Sequence, residues 1–380
     1  MSEWKQYSIE DFAEVKNTLR IPLSKLEREK RQGDFPYYGA SGIIDYVDDY
    51  LFEGEHVLIS EDGENLKSRK TPIAFKADGK FWVNNHAHIL KGKRDEFNDL
   101  LVYYFANLNI NEFITGAVQP KLSKSNLLSI PIFLPEDEEV ILEIVDFLKS
   151  LTDKIDLLHR QNQTLEQMAE TLFRQWFVER ESELIPLGEC IRTTSGGTPS
   201  RKRMDFYEGG IYQWVKSKEL NGGYIFDTEE KITLEALKKS SAKLLPENSV
   251  LIAMYGATVG QFAIIGQEAT CNQAICACLP NDEFPYTFIY HTIKANVDEL
   301  KSRAVGSAQQ NISQVLIKSL EISVNENIDR FHAEVDPMMQ KIKANYTQIR
   351  TLTALRDTLL PKLMSGEVSL SNFREVRLSD

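Results

Sequence analysis

The sequence predicts an α+β protein of two pseudo-repeated mixed α/β domains separated by two long antiparallel coiled-coil helices. Three observations carry this: an internal duplication, short β-rich runs within each half, and two stretches whose apolar residues recur at alternating spacings of three and four. The expected boundaries are 1–140 for the first domain, 141–183 for the first helix, 184–328 for the second domain, 329–368 for the second helix and 369–380 for a tail. A chain of 380 residues with 42% hydrophobic content suffices for two cores, since single domains commonly run to ~100–200 residues.

The duplication is read from matched segments. HVLIS at 56–60 matches SVLIA at 249–253, and Asn85-His86-Ala87 matches Asn272-Gln273-Ala274. QPKLSKSNLLSIPI at 119–132 matches QQNISQVLIKSLEI at 309–322. Thr164-Leu165 and Thr171-Leu172 match Thr351-Leu352 and Thr358-Leu359, and the offset stays between 187 and 193. Within the halves, runs at 57–60, 81–90, 250–254, 262–265 and 274–279 predict strands, and 100–108 and 288–301 predict helices. Pro131, Pro135 and Pro337 mark exits towards the long helices or their first turns.

The first long helix presents Leu148, Leu151, Ile155, Leu158, Asn162, Leu165, Ala169, Leu172 and Trp176 on one seam. The second presents Val335, Met338, Ile342, Asn345, Ile349, Leu352, Arg356, Leu359 and Leu363, the same pattern shifted by 187. Two such helices, each following its own globule, most simply pack antiparallel, with the globules at opposite ends. Asn162 and Asn345 would be polar seam positions that fix register at a cost in stability.

Net charge is −12, distributed as −7 over 1–140, −4 over 141–183, −2 over 184–328 and +1 over 329–380. That acidity argues against simple nucleic-acid binding, which draws its affinity from neutralised phosphates. Basic residues nevertheless cluster at Arg201-Lys202-Arg203, Lys216/Lys218, Lys67/Arg69/Lys70 and Lys91/Lys93/Arg94. No stretch approaches the ~20 apolar residues of a membrane span, and the first residues lack the apolar core of a signal peptide. Cys190, Cys271, Cys276 and Cys278 are too few and too clustered for a disulfide framework. A cytoplasmic location without membrane contact is expected.

Enzymatic motifs are not found. GATVG at 256–260 is followed by Gln261 rather than by the Lys of a phosphate loop. There is no Gly-rich cofactor fingerprint, adenine-methylation motif or nuclease-like acidic cluster, and no catalytic group recurs at matching positions of both halves. His86 and His88 alternate along an expected strand, and the cysteines lack a second ligand pair, so no metal is expected. A duplicated hydrolase or nuclease would need matched catalytic groups, and a plain coiled-coil adaptor would not need two large globules.

What the halves share is polar loops suited to phosphates and base edges. SGGTPSRKR at 195–203 offers backbone amides, Thr198, Ser200 and the cations Arg201, Lys202 and Arg203. Lys216, Ser217, Lys218, Tyr255, Thr258, Asn272, Gln273, Gln309, Gln310 and Asn311 complete the second half's candidates. The first half contributes Lys67, Arg69, Asn84, Asn85, His86, Gln119, Lys121 and Lys124.

LTALRDTLLPKLMSGEV at 352–368, LEQMAETLFRQWFV at 165–178, VLIAMYGATVGQFAI at 250–264 and GASGIIDYVDD at 39–49 resemble the specificity subunits of type I restriction-modification enzymes. The resemblance covers essentially the whole chain. It implies two target-recognition domains, each reading one half of a bipartite double-stranded DNA site, with the long helices as spacer and docking surface. It further implies two methyltransferase subunits and restriction subunits as partners, which bring S-adenosylmethionine, Mg2+ and ATP, while this chain binds no cofactor and is no enzyme by itself.

Overall fold

Uninterrupted apolar runs too short for helices become central strands, because only a strand with both faces covered can bury every side chain of such a run. His56–Ser60 and Ile275–Leu279 are of this kind, with every residue buried. They organise two units in the computed structural model, which describes residues 3–116, 118–180, 182–304 and 311–370. The first unit is Met1–Ile155 with Leu352–Asp380, and the second is Asp156–Thr351.

In the first unit, a four-stranded antiparallel sheet runs Ala13–Val15, Ala87–Gly92, His56–Ser60, Ala74–Ala77. A second sheet runs Gly42–Val47, Phe35–Gly39, Lys80–Val83, Phe52–Glu53, and its middle pair is parallel. Trp4–Tyr7 pairs with Ile132–Pro135 beside the exit to the first long helix. The helix Asp95–Asn107 starts with Asp95 and Glu96 in its first turn, where carboxylates favour the N-terminal end. It buries Phe97, Leu100, Leu101, Tyr104 and Phe105 at helical spacing.

The second unit repeats this plan. Arg192–Ser195, Ile275–Leu279, Val250–Ala253, Phe262–Ile265 and Tyr224–Ile225 form one sheet, and Lys231–Ile232, Tyr212–Val215 and Thr270–Cys271 the other. Glu183–Pro186 pairs with Glu321–Val324, and Tyr286–Ser302 is the domain helix. Registers align the copies residue by residue. Val57 faces Leu90 as Val250 faces Cys278, and Tyr38 neighbours Val83 as Val215 neighbours Cys271.

That alignment corrects the sequence match by one residue. Asn84, not Asn85, is the counterpart of Asn272: each follows a parallel strand pair, and each N–H donates to a carbonyl on the neighbouring strand, Tyr38 (3.0 Å) or Val215 (2.9 Å). The expected strand at 81–90 is also two strands in different sheets, Lys80–Val83 and Ala87–Gly92. The break is a tight turn in which the Asn84 side chain accepts the His86 N–H at 2.8 Å. His86 therefore lies in a turn, and His88 alone lies in the strand.

The long helices are Glu138–Phe173, prolonged by a π-helical turn Arg174–Val178, and Ile328–Met364. In the second unit, Phe331 packs 5.6 Å from Phe173 and 5.4 Å from Phe177 between ring centroids, while Asn345 bonds to Asn162 at 2.8 Å. Later residues of one helix thus meet earlier residues of the other, an antiparallel arrangement. In the first unit, Leu148 shares a core with Leu360, Leu363 and Met364. Two details differ from the expected seam. Met339 and Leu360 are more buried than Met338 and Leu359, because 3.6 residues per turn drifts against a 3.5-residue repeat. Pro337 sits inside Ile328–Met364 rather than in its first turn, and the carbonyl it leaves unpaired belongs to solvent-exposed Ala333.

Candidate nucleic-acid interface

In the second unit, three segments converge where the central strand Val250–Ala253 ends. The Met254 N–H donates to the Ala274 carbonyl at 2.8 Å, and the Ile312 N–H donates to the Met254 carbonyl at 2.8 Å. Tyr255 and Asn311 form a β-bridge beside them. A fourth segment arrives through the Gly197 N–H, which donates to the Cys271 carbonyl at 2.9 Å. Gly196 and Gly197 permit the close packing there: a Cβ on Gly196 would lie 2.1 Å from the Cys271 carbonyl oxygen, and one on Gly197 2.4 Å from the Ser241 backbone. Thr198, Tyr255, Asn272, Gln273 and Asn311 are thereby gathered into one polar rim, with the Thr198 hydroxyl donating to the Gln273 amide oxygen. Thr258 lies just beyond, its hydroxyl donating to the Tyr255 carbonyl at 3.3 Å.

Beside the rim is an aromatic shelf. Trp214 Nε1 donates to the Gly197 carbonyl at 3.0 Å, and the Tyr207 hydroxyl donates to the Pro199 carbonyl at 2.6 Å. The Arg201 guanidinium rests 4.5 Å from the Tyr207 ring and 5.1 Å from the Trp214 ring. Acidic side chains reach most of the expected cations. Arg201 pairs with Glu230 at 2.7 Å, and Arg203 with Asp205 at 2.7 Å. Lys216 pairs with Glu230 at 2.9 Å and Glu229 at 3.4 Å, and Lys218 with Glu229 at 2.6 Å. Burial works to raise the Glu230 carboxyl, but Arg201 and Lys216 outweigh it and hold it below the usual range. Lys202 is exposed and has no ion-pair partner among the described residues, and Ser200 is exposed beside it. Ser217 is half-buried at the start of a short 3-10 turn, Ser217–Glu219.

The first unit builds its rim at the equivalent place. The Glu61 N–H donates to the His86 carbonyl at 2.8 Å, and the Leu122 N–H to the Glu61 carbonyl at 2.7 Å. Asp62, Asn84, Asn85, His86 and Lys121 come together, and His86 Nδ1 donates to the Asp62 carboxylate at 2.8 Å. Ser41, Asp62, Asn65, Asn84 and His86 line a shallow cavity of about 370 Å³. Beneath lies a polar layer that sequence reasoning missed. His88, fully buried, donates from Nε2 to the Leu122 carbonyl at 2.8 Å and accepts the Asn17 amide at Nδ1 at 2.8 Å, while Arg20 pairs with Glu61 at 2.6 Å.

Arg69 is a correction. It has left-handed backbone (φ 50°), and its guanidinium turns inward to the carbonyls of Phe105 (3.0 Å) and Leu108 (2.5 Å), so it caps the domain helix instead of facing a ligand. Lys67, Gln119 and Lys124 are exposed, without ion-pair or side-chain hydrogen-bond partners among the described residues. Gln309 and Gln310 lie outside the described residues. Among those residues, no group of three or more His, Cys, Asp or Glu is placed to hold a metal ion, and no helix is long and apolar enough to cross a membrane.

Two copies of one fold, each with a polar rim at the same sheet end, define a duplicated recognition protein. The model of the type I restriction modification DNA specificity domain matches residues 1–167 and again 179–325, and the chain belongs to that family. It is 25% identical over 409 residues to the type I restriction enzyme MjaIX specificity subunit of Methanocaldococcus jannaschii, covering 96% of this chain and 94% of that one. It is 28% identical over 235 residues to the EcoR124I/EcoR124II specificity subunit of Escherichia coli, covering 59% of this chain and 58% of that one. The crystal structure of a type I restriction-modification system S subunit from M. genitalium shares the fold, with a TM-score of 0.64 at 14% identity over 95% of this chain and 96% of that chain. The protein is thus a DNA specificity subunit, a recognition component and not itself an enzyme.

Proposed function

We propose that each rim reads one part of a bipartite double-stranded DNA target, and that the chain docks two methyltransferase subunits and, in the complete enzyme, restriction subunits. The observation supporting this is the repeated junction itself: the same main-chain bonds, Glu61 to His86 and Leu122 in one unit and Met254 to Ala274 and Ile312 in the other, present polar side chains twice. S-adenosylmethionine, Mg2+ and ATP belong to the partners, and the site of action is the cytoplasm. The exposed apolar side chains Leu157 and Met168 on the first long helix and Leu355 on the second suit helix docking. Exchanging residues 184–328 for the matching segment of a relative should change one part of the methylated sequence and preserve the other. Sequencing of methylated adenines in cells carrying the partner methyltransferase reads the outcome, and a change in both parts refutes independent reading.

A further inference from the structure

The second rim carries five cations, Arg201, Lys202, Arg203, Lys216 and Lys218. Three of them converge on two adjacent carboxylates that no local pattern links to them: Arg201 and Lys216 share Glu230, and Lys216 and Lys218 share Glu229. The acids are held in place by their backbone. The Glu229 N–H donates to the Glu219 carboxylate at 2.8 Å, and the Glu230 carbonyl accepts the Thr228 hydroxyl at 2.6 Å. Arg201 also rests on its aromatic shelf, a second contact beside the acid.

A carboxylate and a DNA phosphodiester are interchangeable ligands for guanidinium and ammonium groups. We propose that Glu229 and Glu230 are built-in counterions of the second recognition surface, occupying Arg201, Lys216 and Lys218 until a DNA backbone replaces them. This rests on the DNA-reading function proposed above and adds its regulation. Binding of a phosphate to a bare cation liberates mobile ions, the source of the steep salt dependence of protein–DNA affinity. A displaced carboxylate stays tethered beside the phosphates and lowers the net positive charge that meets them, so fewer of the DNA's condensed ions are released. The wild-type rim therefore binds DNA of any sequence more weakly, and with a shallower salt slope, than its cations alone would dictate. Base contacts from Asn272, Gln273 and Asn311 are then required to make binding favourable.

The test uses the complex with its methyltransferase subunits, titrated against a target duplex and an unrelated duplex over a salt series, with melting temperature as the folding control. Glu229→Gln/Glu230→Gln should tighten binding to both duplexes and steepen the slope by about 0.9 per unmasked charge, up to about 1.8 for the two carboxylates removed. Glu229→Gln alone, at a side chain 54% exposed, should give a smaller change of the same sign and guards against loss of folding. Lys218→Ala separates the two readings. If it weakens binding while the Glu variants leave the slope unaltered, the counterion proposal is overturned and the DNA-reading function stands. If Lys218→Ala and Arg201→Ala change nothing in either background, this rim does not meet DNA, and both fail.

Discussion

At the scale of single residues, two buried histidines show how the units tolerate ionisable groups in their interiors. His88 in the first unit and His291 in the second are both pushed down in pKa by burial. His291 stacks on Phe173 at 6.0 Å, donates from Nδ1 to the Thr287 carbonyl at 2.7 Å, and falls from 6.5 to about 4. Because the folded-state value lies below the unfolded one, the unfolded chain takes up the proton first as pH falls. Stability is therefore intact above about 6.5 and is lost between 6.5 and about 4, by up to about 3 kcal/mol. Urea unfolding followed by Trp176 and Trp214 fluorescence should show this, and His291→Phe, which keeps the ring on Phe173, should flatten it. Such burial was not legible in the sequence, and neither was Arg69: EDGENLKSRK looks like a solvated charged loop. Only the fold brings the Phe105 and Leu108 carbonyls to that guanidinium.

At the scale of elements, legibility followed locality. The domain helices and the long helices were readable because their apolar spacing is a local signal. The stretch 81–90 was misread because FWV and AHIL look continuous, although Asn84-Asn85 is itself a turn signal. The pairing of Glu229 and Glu230 with Lys216 and Arg201 had no local trace, since charges that meet through sheet topology leave no spacing pattern. The Asn162–Asn345 layer was readable as polar positions but not in its detail. Asn345 Nδ2 donates to Asn162 Oδ1 and to Gln161 Oε1, both at 2.8 Å, while Asn162 Nδ2 and Asn345 Oδ1 are buried without partners. Asn345→Leu alone should strand the Asn162 amide and cost about 1–3 kcal/mol. The Asn162→Leu/Asn345→Leu pair should be neutral or stabilising, since it removes both groups at once. A thermal double-mutant cycle measures the coupling, and additive effects would show that the layer does not act as a pair.

At the scale of the whole molecule, the first unit is assembled from both ends of the chain. Leu360, Leu363 and Met364 are buried in its core, and Gly366 lies against the indole of Trp4. Ending the chain after Thr351 should therefore destabilise the amino-terminal domain, although the deletion lies beyond the second domain in sequence. Three lost core side chains amount to on the order of 5 kcal/mol or more. Hydrogen exchange should show protection lost in His56–Ser60 and kept in Val250–Ala253; equal loss in both would contradict the division into units. Within each unit the rim loops are tied to the sheet by main-chain bonds, from Glu61 to His86 and Leu122 and from Met254 to Ala274 and Ile312. Those bonds are indifferent to which side chains the tied residues carry. Asp62, Asn85, His86 and Lys121, or Tyr255, Gln273 and Asn311, can thus be exchanged by mutation with little penalty in folding. With its rims reading DNA as proposed, such a protein can acquire a new address on the genome one substitution at a time, without first rebuilding the body that carries it.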